Sequence, residues 1–318
     1  MAPAPVTVLI LAPAAAPDAG PLTRVLDDAR TVLAGHHRDG FAAAGGTDVR
    51  IVREPPDAQP FGARLRRLLE RGAAPGIVVL GAASAPLATS VDRRAFLDAA
   101  AGEVPAALAN NRYSADIIAI ARADLALRAL ADDLETDNAL PRWLAEVAGV
   151  PVRDLRARRR LAMDIDSPLD LLLLEDVRGA PILPLPDEAA AGPVRERLAA
   201  LRAIARDPTA ELLVAGRMAA VDVRWLERET RSRSRVLIEE RGLRTASLAA
   251  ALGRANRRTP HSLLGLLLDR DGPGSLGTHV ATLADGALVD TRVLLAHHLG
   301  ADEGAWPTPE DRYASDLS

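Results

Sequence analysis

The chain has no cysteine, and every one of its 39 basic side chains is an arginine, because it has no lysine either. The absence of cysteine excludes thiol nucleophiles, disulfides and thiolate metal sites. The absence of lysine excludes Schiff-base chemistry and the lysine of a Walker-type phosphate loop. A bound anion must therefore be held by arginine side chains or by backbone N–H groups.

Long apolar runs and aromatic side chains are also scarce. No run approaches the roughly 20 residues that a membrane helix needs, and the apolar segment Val6–Leu11 lacks the preceding positive charge of a signal peptide. With 3% aromatic residues and a net charge of -4, the chain is poorly suited to stacking on nucleic acid. Its 318 residues, 48% of them hydrophobic, are ample for a buried core. We expect a cytoplasmic protein of two domains, without a membrane or nucleic-acid partner.

The first half alternates apolar runs with stretches of helical spacing. The runs predict strands at residues 6–11, 48–52, 76–80 and 116–121. The spacing predicts helices at residues 22–33, 61–69, 95–101 and 139–148. Alternating strands and helices imply parallel pairing through crossovers. The predicted fold is therefore α/β, with a mostly parallel sheet flanked by helices.

A proline-rich passage, residues 179–192, is the predicted linker, since proline continues neither a helix nor a β-ladder. It separates a domain over residues 1–178 from a second, smaller α/β domain over residues 193–318. In that domain the pattern predicts strands at 211–215 and 236–239 and helices at 194–205, 221–228, 262–268 and 291–299. The acidic, polar tail after Gly300 is expected on the surface.

The most specific segment is residues 164–171, which read Asp-Ile-Asp-Ser-Pro-Leu-Asp-Leu. Ser167 and Pro168 are typical of a helix N-cap and first turn, and Asp170 would lie in that turn. Asp164 and Asp166 alternate with an apolar residue, so they share one side of an extended segment. Two carboxylates on one side suit a hard cation such as Mg²⁺, which prefers oxygen ligands. The alternative is a capped helix whose acids merely flank the cap.

This segment resembles the Asp-x-Asp-x-Pro-Glu-Asp-Leu signature of nucleotidyltransferases with a GT-A-type fold. Among these it is most similar to the 2-phospho-L-lactate guanylyltransferase family, and more distantly to the molybdenum-cofactor nucleotidyltransferases. Other stretches resemble the family in the same order along residues 5–178. They are residues 53–54 with 61–70, residues 77–87, and residues 109–118, which occupy the place of the family's substrate loop.

The resemblance implies a GT-A-like sheet and a metal-dependent transfer of a guanylyl group from GTP to a phosphorylated small molecule. Mg²⁺ would be held by Asp164 and Asp166. The residues expected to contact substrate are Asn110, Asn111, Arg112, Ser84 and Arg64, the last as a phosphate contact.

Two departures from the family pattern keep a second hypothesis open. Ser84 stands where the family has a metal-binding aspartate, and a hydroxyl is a poor replacement for a carboxylate on Mg²⁺. The first loop, residues 13–21, offers no basic residue before Arg24, whereas the family holds nucleotide phosphates with basic residues there. The alternative is a non-catalytic relative that binds a nucleotide or a phosphorylated metabolite, or that serves as a partner subunit.

Several other segments allow a functional and a purely structural interpretation. Residues 110–116 form either a substrate loop or a polar turn, and residues 135–138 either a helix cap or an addition to the pocket. Five arginines in residues 153–160 and eleven in residues 217–258 form either an anion platform or a solvated, ion-paired surface.

The second half offers two further sets of polar residues. Strand-end turns at residues 215–217 and 239–242, with Asp285 and Asp290, form either a second pocket or ordinary turns. The six histidines show no i, i+4 zinc pair, and we expect the pairs His36-His37 and His297-His298 on the surface.

Overall fold

The computed structural model describes residues 4–54, 59–130, 134, 136–240, 243 and 259–317. The chain forms two compact units. The first comprises Met1–Asp187 with Tyr313–Leu317, and the second comprises Glu188–Arg312. The division lies within the passage predicted as a linker, residues 179–192, but residues 188–192 already belong to a helix.

The first unit is built on a six-stranded sheet in the order β2-β1-β3-β5-β4-β6. The strands are β1 (Val6–Leu11), β2 (Asp48–Val52), β3 (Gly76–Gly81), β4 (Ala106–Ala109), β5 (Ile117–Ala121) and β6 (Val152–Asp154). Adjacent strands pair in parallel except where β5 is involved, because β5 runs antiparallel to both β3 and β4.

The sheet is therefore mixed, where the sequence predicted mostly parallel pairing. The reason is the connection between β4 and β5, residues 110–116. A crossover between parallel strands needs about a dozen residues or more, whereas antiparallel neighbours need only a short loop. The short connection turns the chain back on itself, and β5 is inserted in reverse between β3 and β4.

Helices cover both faces of this sheet. They are α1 (Pro21–Ala43), α2 (Phe61–Glu70), α3 (Ser90–Ala100), α4 (Ala123–Ala126), α5 (Leu140–Glu146) and α6 (Pro168–Leu174). Successive residues of a strand point to opposite faces, so Leu9 and Val79 pack with Leu65 of α2 on one face. On the other face Val78 packs with residues of α1 and α3. Strands buried on both faces explain the continuous apolar runs of the sequence.

The second unit contains a three-stranded parallel sheet in the order β8-β7-β9. Its strands are β7 (Glu211–Gly216), β8 (Arg233–Ile238) and β9 (Gly286–Val289). The later helices are α7 (Glu188–Ile204), α8 (Ala220–Glu229), α9 (Leu263–Asp271), α10 (Leu276–Leu283), α11 (Thr291–Leu299) and α12 (Pro309–Leu317), whose final residues belong to the first unit. A small core forms where Leu264 and Leu268 of α9 meet Leu294 of α11.

The tail after Gly300 is not wholly a surface segment, contrary to the prediction. Trp306 and Leu317 are buried, and Trp306 Nε1 donates to the Gly300 carbonyl at 2.9 Å. The tail is polar in its average composition, but these two side chains are large and apolar, and they are therefore buried. Among the helices that the structure describes, none is both long and apolar enough to cross a membrane.

Candidate functional site

Four polar residues of the first unit meet at one edge of its sheet. Ser84 follows the end of β3, and Asn110 follows the end of β4. Asp116 lies at this edge as well because β5, which it precedes, runs in the opposite direction, and its carbonyl accepts from the Gly81 amide at 3.3 Å. This is the edge outside the carboxyl ends of the parallel strands, where ligands of open α/β sheets bind.

Asp164 reaches this edge through a short antiparallel bridge to Ser84. Around the bridge, the Ala85 amide donates to the Met163 carbonyl at 2.8 Å, and the Ile165 amide donates to the Ala83 carbonyl at 3.2 Å. The turn after β3 and the acidic segment before α6 are thus held side by side. The structure brings together two of the segments on which the sequence analysis depended.

Asp164, Asp166 and Asp116 form an electrostatic cluster, in which the charges of Asp116 and Asp166 act on the Asp164 carboxyl group, but the oxygen atoms of the three do not all lie within 4.8 Å of one another. Burial raises the pKa of Asp164 to about 8, and the negative charges of Asp116 and Asp166 add to this rise. The charge of Arg30, on α1, acts in the opposite direction. The negative charges of Asp116 and Asp166 thus disfavour the charged form of Asp164, and a cation beside it would offset this effect.

Asp116 is the member of the cluster that the sequence analysis did not select. Asn110 Nδ2 lies 3.1 Å from Asp116 Oδ2. With its amide turned so that nitrogen faces the acceptors, Asn138 donates to Asp116 Oδ1 at 3.0 Å. Its position as the single acid between the loop and the apolar strand β5 was the available signal. Asn138 belongs to residues 135–138, so that segment contributes an amide to the site.

Asn110 is a positioning residue. Its Nδ2 also donates to the Leu161 carbonyl at 2.9 Å, and its Oδ1 accepts from the amides of Asp116 at 3.1 Å and Ile117 at 3.3 Å. The side chain is buried, and the full set of partners fixes the loop that carries Asp116. Direct contact between Asn110 and substrate stays a prediction.

Two guanidinium groups, one from this loop and one from the segment after β6, lie over an aromatic ring at the tip of the loop. The Asn111 side chain accepts from the Tyr113 amide at 3.1 Å, which makes the polar turn that the sequence allowed. Arg112 and Arg156 lie over the Tyr113 ring, with their Cζ atoms 5.7 Å and 5.5 Å from its centroid. The ring is half exposed, so this positive surface is open to solvent.

Arg64 and two other predicted arginines have partners within the chain. Arg64 is half-buried on α2 and already interacts with other protein groups. Arg158 and Arg160 both bind Asp92, at 2.8 Å and 2.6 Å, and the pKa of that buried carboxyl lies far below its usual range because the arginines and Thr89 outweigh its burial. For Arg158 and Arg160, the ion-paired alternative therefore describes the structure.

The acidic segment owes its position to the packing of α6 against α1. Ile165, between the two aspartates, is buried with Leu26 and Leu33 of α1. Asp170 completes the predicted cap by accepting from the amides of Asp166 at 2.9 Å and Ser167 at 2.8 Å. The predicted helix start is confirmed.

The positive charge that acts on Asp164 comes from a residue of α1 rather than from the first loop. Arg30 follows Leu26 by four residues on α1, so it projects beside the same packed face. Its charge acts on Asp164. The family resemblance implied basic residues in the loop after β1, but the structure places Arg30 of α1 near Asp164 instead.

In the second unit, the acidic residues predicted near the strand-end turns are bound to groups of the same unit. Arg217 Nε lies 2.6 Å from Asp290 Oδ2, and Asp285 accepts from the Glu211 amide at 2.8 Å. These contacts fit the interpretation as ordinary turns and ion pairs. Some predicted polar residues lie outside the described part of the chain: Glu135, Arg241, Gly242, Arg244, Arg254, Arg257 and Arg258.

Comparison of the chain with protein-family models and with curated proteins finds no match in either set.

Proposed function

We propose that the first unit is a nucleotidyltransferase-like domain of the GT-A type that transfers a guanylyl group from GTP to a phosphorylated small molecule. The observation that carries the proposal is the cluster of Asp116, Asp164 and Asp166 at the ligand edge of the sheet. The resemblance of residues 5–178 to the guanylyltransferase family supports it, and so does the six-stranded sheet with helices on both faces.

The carboxylate oxygens are donors of the type that Mg²⁺ takes, and the three acids would have to move closer together to share one ion. Asp164 and Asp166 would hold the ion, with Asp116 as the third carboxylate, because hard cations take oxygen ligands. The raised pKa of Asp164 fits a site that is most stable with a positive charge among its acids. When bound, Mg²⁺ would neutralise phosphate charge, on which nucleotidyl transfer largely depends.

The protein's own side chains would position the reactants. Asn110 and Asn138 orient Asp116, while Asp170 fixes the turn that carries Asp166. Arg112 and Arg156 offer guanidinium groups that suit phosphate or carboxylate oxygens. In the absence of lysine and of basic residues in the first loop, these arginines and Arg30 are the cations that we propose for the substrate's anionic groups.

A second candidate function is binding without catalysis. The observation in its favour is Ser84, which lies beside Asp164 and provides a hydroxyl in place of the carboxylate that the family resemblance implies. Transfer requires that the charge of the transition state be neutralised, which binding alone does not require. A domain that keeps the fold and the acids could therefore hold a nucleotide or a phosphorylated metabolite without turning it over.

The test is a thermal-shift comparison of nucleoside triphosphates with Mg²⁺ or with a chelator. A ligand at about 100 times its Kd stabilises the folded state by about 2.7 kcal/mol. We expect a GTP-selective shift that the chelator and the Asp166→Asn substitution both abolish. The control is Asp98→Asn, on the exposed side of α3, which should keep the shift.

Pyrophosphate release from GTP with phosphorylated acceptors then separates the two candidates. Release that requires Asp166 supports the transferase, whereas a shift without release supports the binding protein. Absence of any nucleotide shift with the wild-type chain would contradict the transferase and would restrict the second candidate to a phosphorylated metabolite that is not a nucleotide.

A further inference from the structure

A second set of possible metal ligands lies in the second unit, away from the acids described above. Asp269 on α9 faces two consecutive histidines on α11. Asp269 Oδ2 is 2.9 Å from His297 Nε2, and Asp269 Oδ1 is 3.2 Å from His298 Nδ1. Among the residues that the structure describes, these three form the group whose ligand atoms lie within 4.8 Å of one another.

The packing of α9 against α11 holds His297 of this group in place, so the group does not depend on freely rotating surface side chains alone. The His297 side chain is only 5% exposed. Its ring lies against Gly265, where an added Cβ would come within 2.5 Å of His297 Cδ2. A glycine inside a helix is unfavourable relative to alanine, and here it provides the space for the ring. Asp269 follows Gly265 by one helical turn, so the ring and the carboxylate share one face of α9.

We propose that Asp269, His297 and His298 bind a divalent transition-metal ion of the Zn²⁺ type. Two imidazole nitrogens and one carboxylate oxygen are donors that Zn²⁺ takes, with a fourth position left for water or another ligand. At Zn–ligand distances of 2.0–2.1 Å, tetrahedral ligand atoms are about 3.4 Å apart. Each histidine nitrogen now lies 2.9 Å or 3.2 Å from a different oxygen of Asp269, and one ligand atom from each of the three residues lies within 4.8 Å of the others, so small side-chain adjustments would bring them to that spacing.

His261 is the nearby candidate for the fourth ligand. Its ring packs edge-on against the His297 ring, with centroids 5.6 Å apart, and its side chain is exposed. Three of the six histidines of the chain therefore meet at this point. Hard cations such as Mg²⁺ and Ca²⁺ prefer oxygen ligands and should not compete for the site.

Metal binding must displace a proton. His297 Nδ1 accepts from the Ser262 amide at 3.2 Å, so the proton of the neutral ring lies on Nε2 and points to Asp269. An ion on Nε2 moves the ring proton to Nδ1, where it would face the Ser262 amide. The Ser262 contact, at the N-cap of α9, must therefore open as the ion binds.

The experiment is titration of the full chain with ZnCl₂ by calorimetry, with visible absorption of a Co²⁺-loaded sample as the second readout. We expect one equivalent of metal per chain and a tetrahedral Co²⁺ spectrum, with little effect of added Mg²⁺. Asp269→Asn and His298→Gln should each weaken binding at least about 10-fold. Both side chains are substantially exposed, so thermal unfolding of the metal-free variants should match that of the wild type.

Two controls make the result specific to this group. His279→Gln removes another histidine that contacts an aspartate of α9, and it should retain binding. Asp164→Asn should also retain it, which separates this site from the acids of the first unit. Wild-type affinity in Asp269→Asn and His298→Gln, or the absence of stoichiometric Zn²⁺ binding, would overturn the proposal.

Discussion

The charged form of Asp164 is unfavourable for folding, although the proposed site uses the same carboxylate as a metal ligand. Its carboxyl group is largely buried and stands beside two other carboxylates. Without a cation, burial and like charge both work against the folded state. In the site proposed above, the same carboxylates would be ligands of the cation.

The first prediction at the scale of residues concerns Asp164→Asn. Near pH 7 it should raise the free energy of unfolding of the metal-free protein by at least about 1 kcal/mol, since it removes a buried, repelled carboxyl. It should also abolish the Mg²⁺-dependent nucleotide shift. Urea unfolding with a chelator measures the first effect, with Asp98→Asn as control. A variant less stable than the wild type would show that the acids are not repelled.

His37 provides the second prediction, and here the surface expectation was wrong, because the ring is buried. Burial is the largest cause that lowers its pKa to about 3, and the charge of Arg93 adds to it. Between pH 6.5 and 3 the unfolded chain therefore binds a proton that the folded protein does not. Stability is unaffected by His37 above this range and falls as the pH decreases through it.

Integrated from pH 6.5 to pH 5, this loss is about 2 kcal/mol. His37→Met should remove it, so the decrease in unfolding free energy between pH 7 and pH 5 should be smaller by that amount. Leu33→Met, on the same helix and equally buried, is the control that changes packing without a titrating group. Equal pH dependence in the wild type and His37→Met would refute the assignment.

At the scale of elements, α1 contains two glycines whose replacement by alanine should have opposite effects on stability. Nothing lies within 4 Å of a Cβ added at Gly35, whereas a Cβ at Gly40 would come within 2.6 Å of Arg93 Cζ, and the Arg93 side chain is buried. Gly35→Ala should stabilise the protein by about 0.5–1 kcal/mol. Gly40→Ala should destabilise it by about 1–3 kcal/mol. Chemical unfolding of the two variants checks the difference, and gains in both would contradict the packing.

The elements also show what sequence patterns could and could not predict. Strands rich in β-branched residues, such as the buried Val6–Leu11 and the half-buried Asp48–Val52, were predicted with their observed bounds. β4 is Ala-Ala-Leu-Ala and β6 has three residues, so neither has a periodicity to detect. β4 is a strand because β5 pairs with it, and β6 is a strand because β4 pairs with it. The reversal of β5 likewise comes from a short loop rather than from the strand itself.

The site was predictable only in its local parts. The cap at Ser167 and the pair Asp164 and Asp166 follow from one continuous segment. Asp116 and Arg30 reach the pair through sheet order and helix packing, which no local pattern encodes. The pair His297-His298 was expected on the surface, which is wrong for His297, because its ring packs against another helix, the one that carries Asp269.

At the scale of the whole molecule, each of the two units has a core of its own. Leu65 is buried in the first unit and Leu268 in the second. Leu65→Ala and Leu268→Ala should each cost about 2–5 kcal/mol in the unit concerned. In calorimetry we expect two unfolding transitions, each moved by one variant only. A single transition that both variants move equally would show that the chain unfolds as one cooperative body.

The bridge between Ser84 and Asp164 also has a consequence for synthesis of the chain. The two residues are about 80 positions apart, and translation at about 5–20 residues per second separates their appearance by several seconds or more. β1 to β3 and the helices between them can pack during this interval. The repelling acids are therefore brought together last, against a hydrophobic core that already exists. A nascent chain would complete this edge of the sheet only after Asp164 has been synthesised.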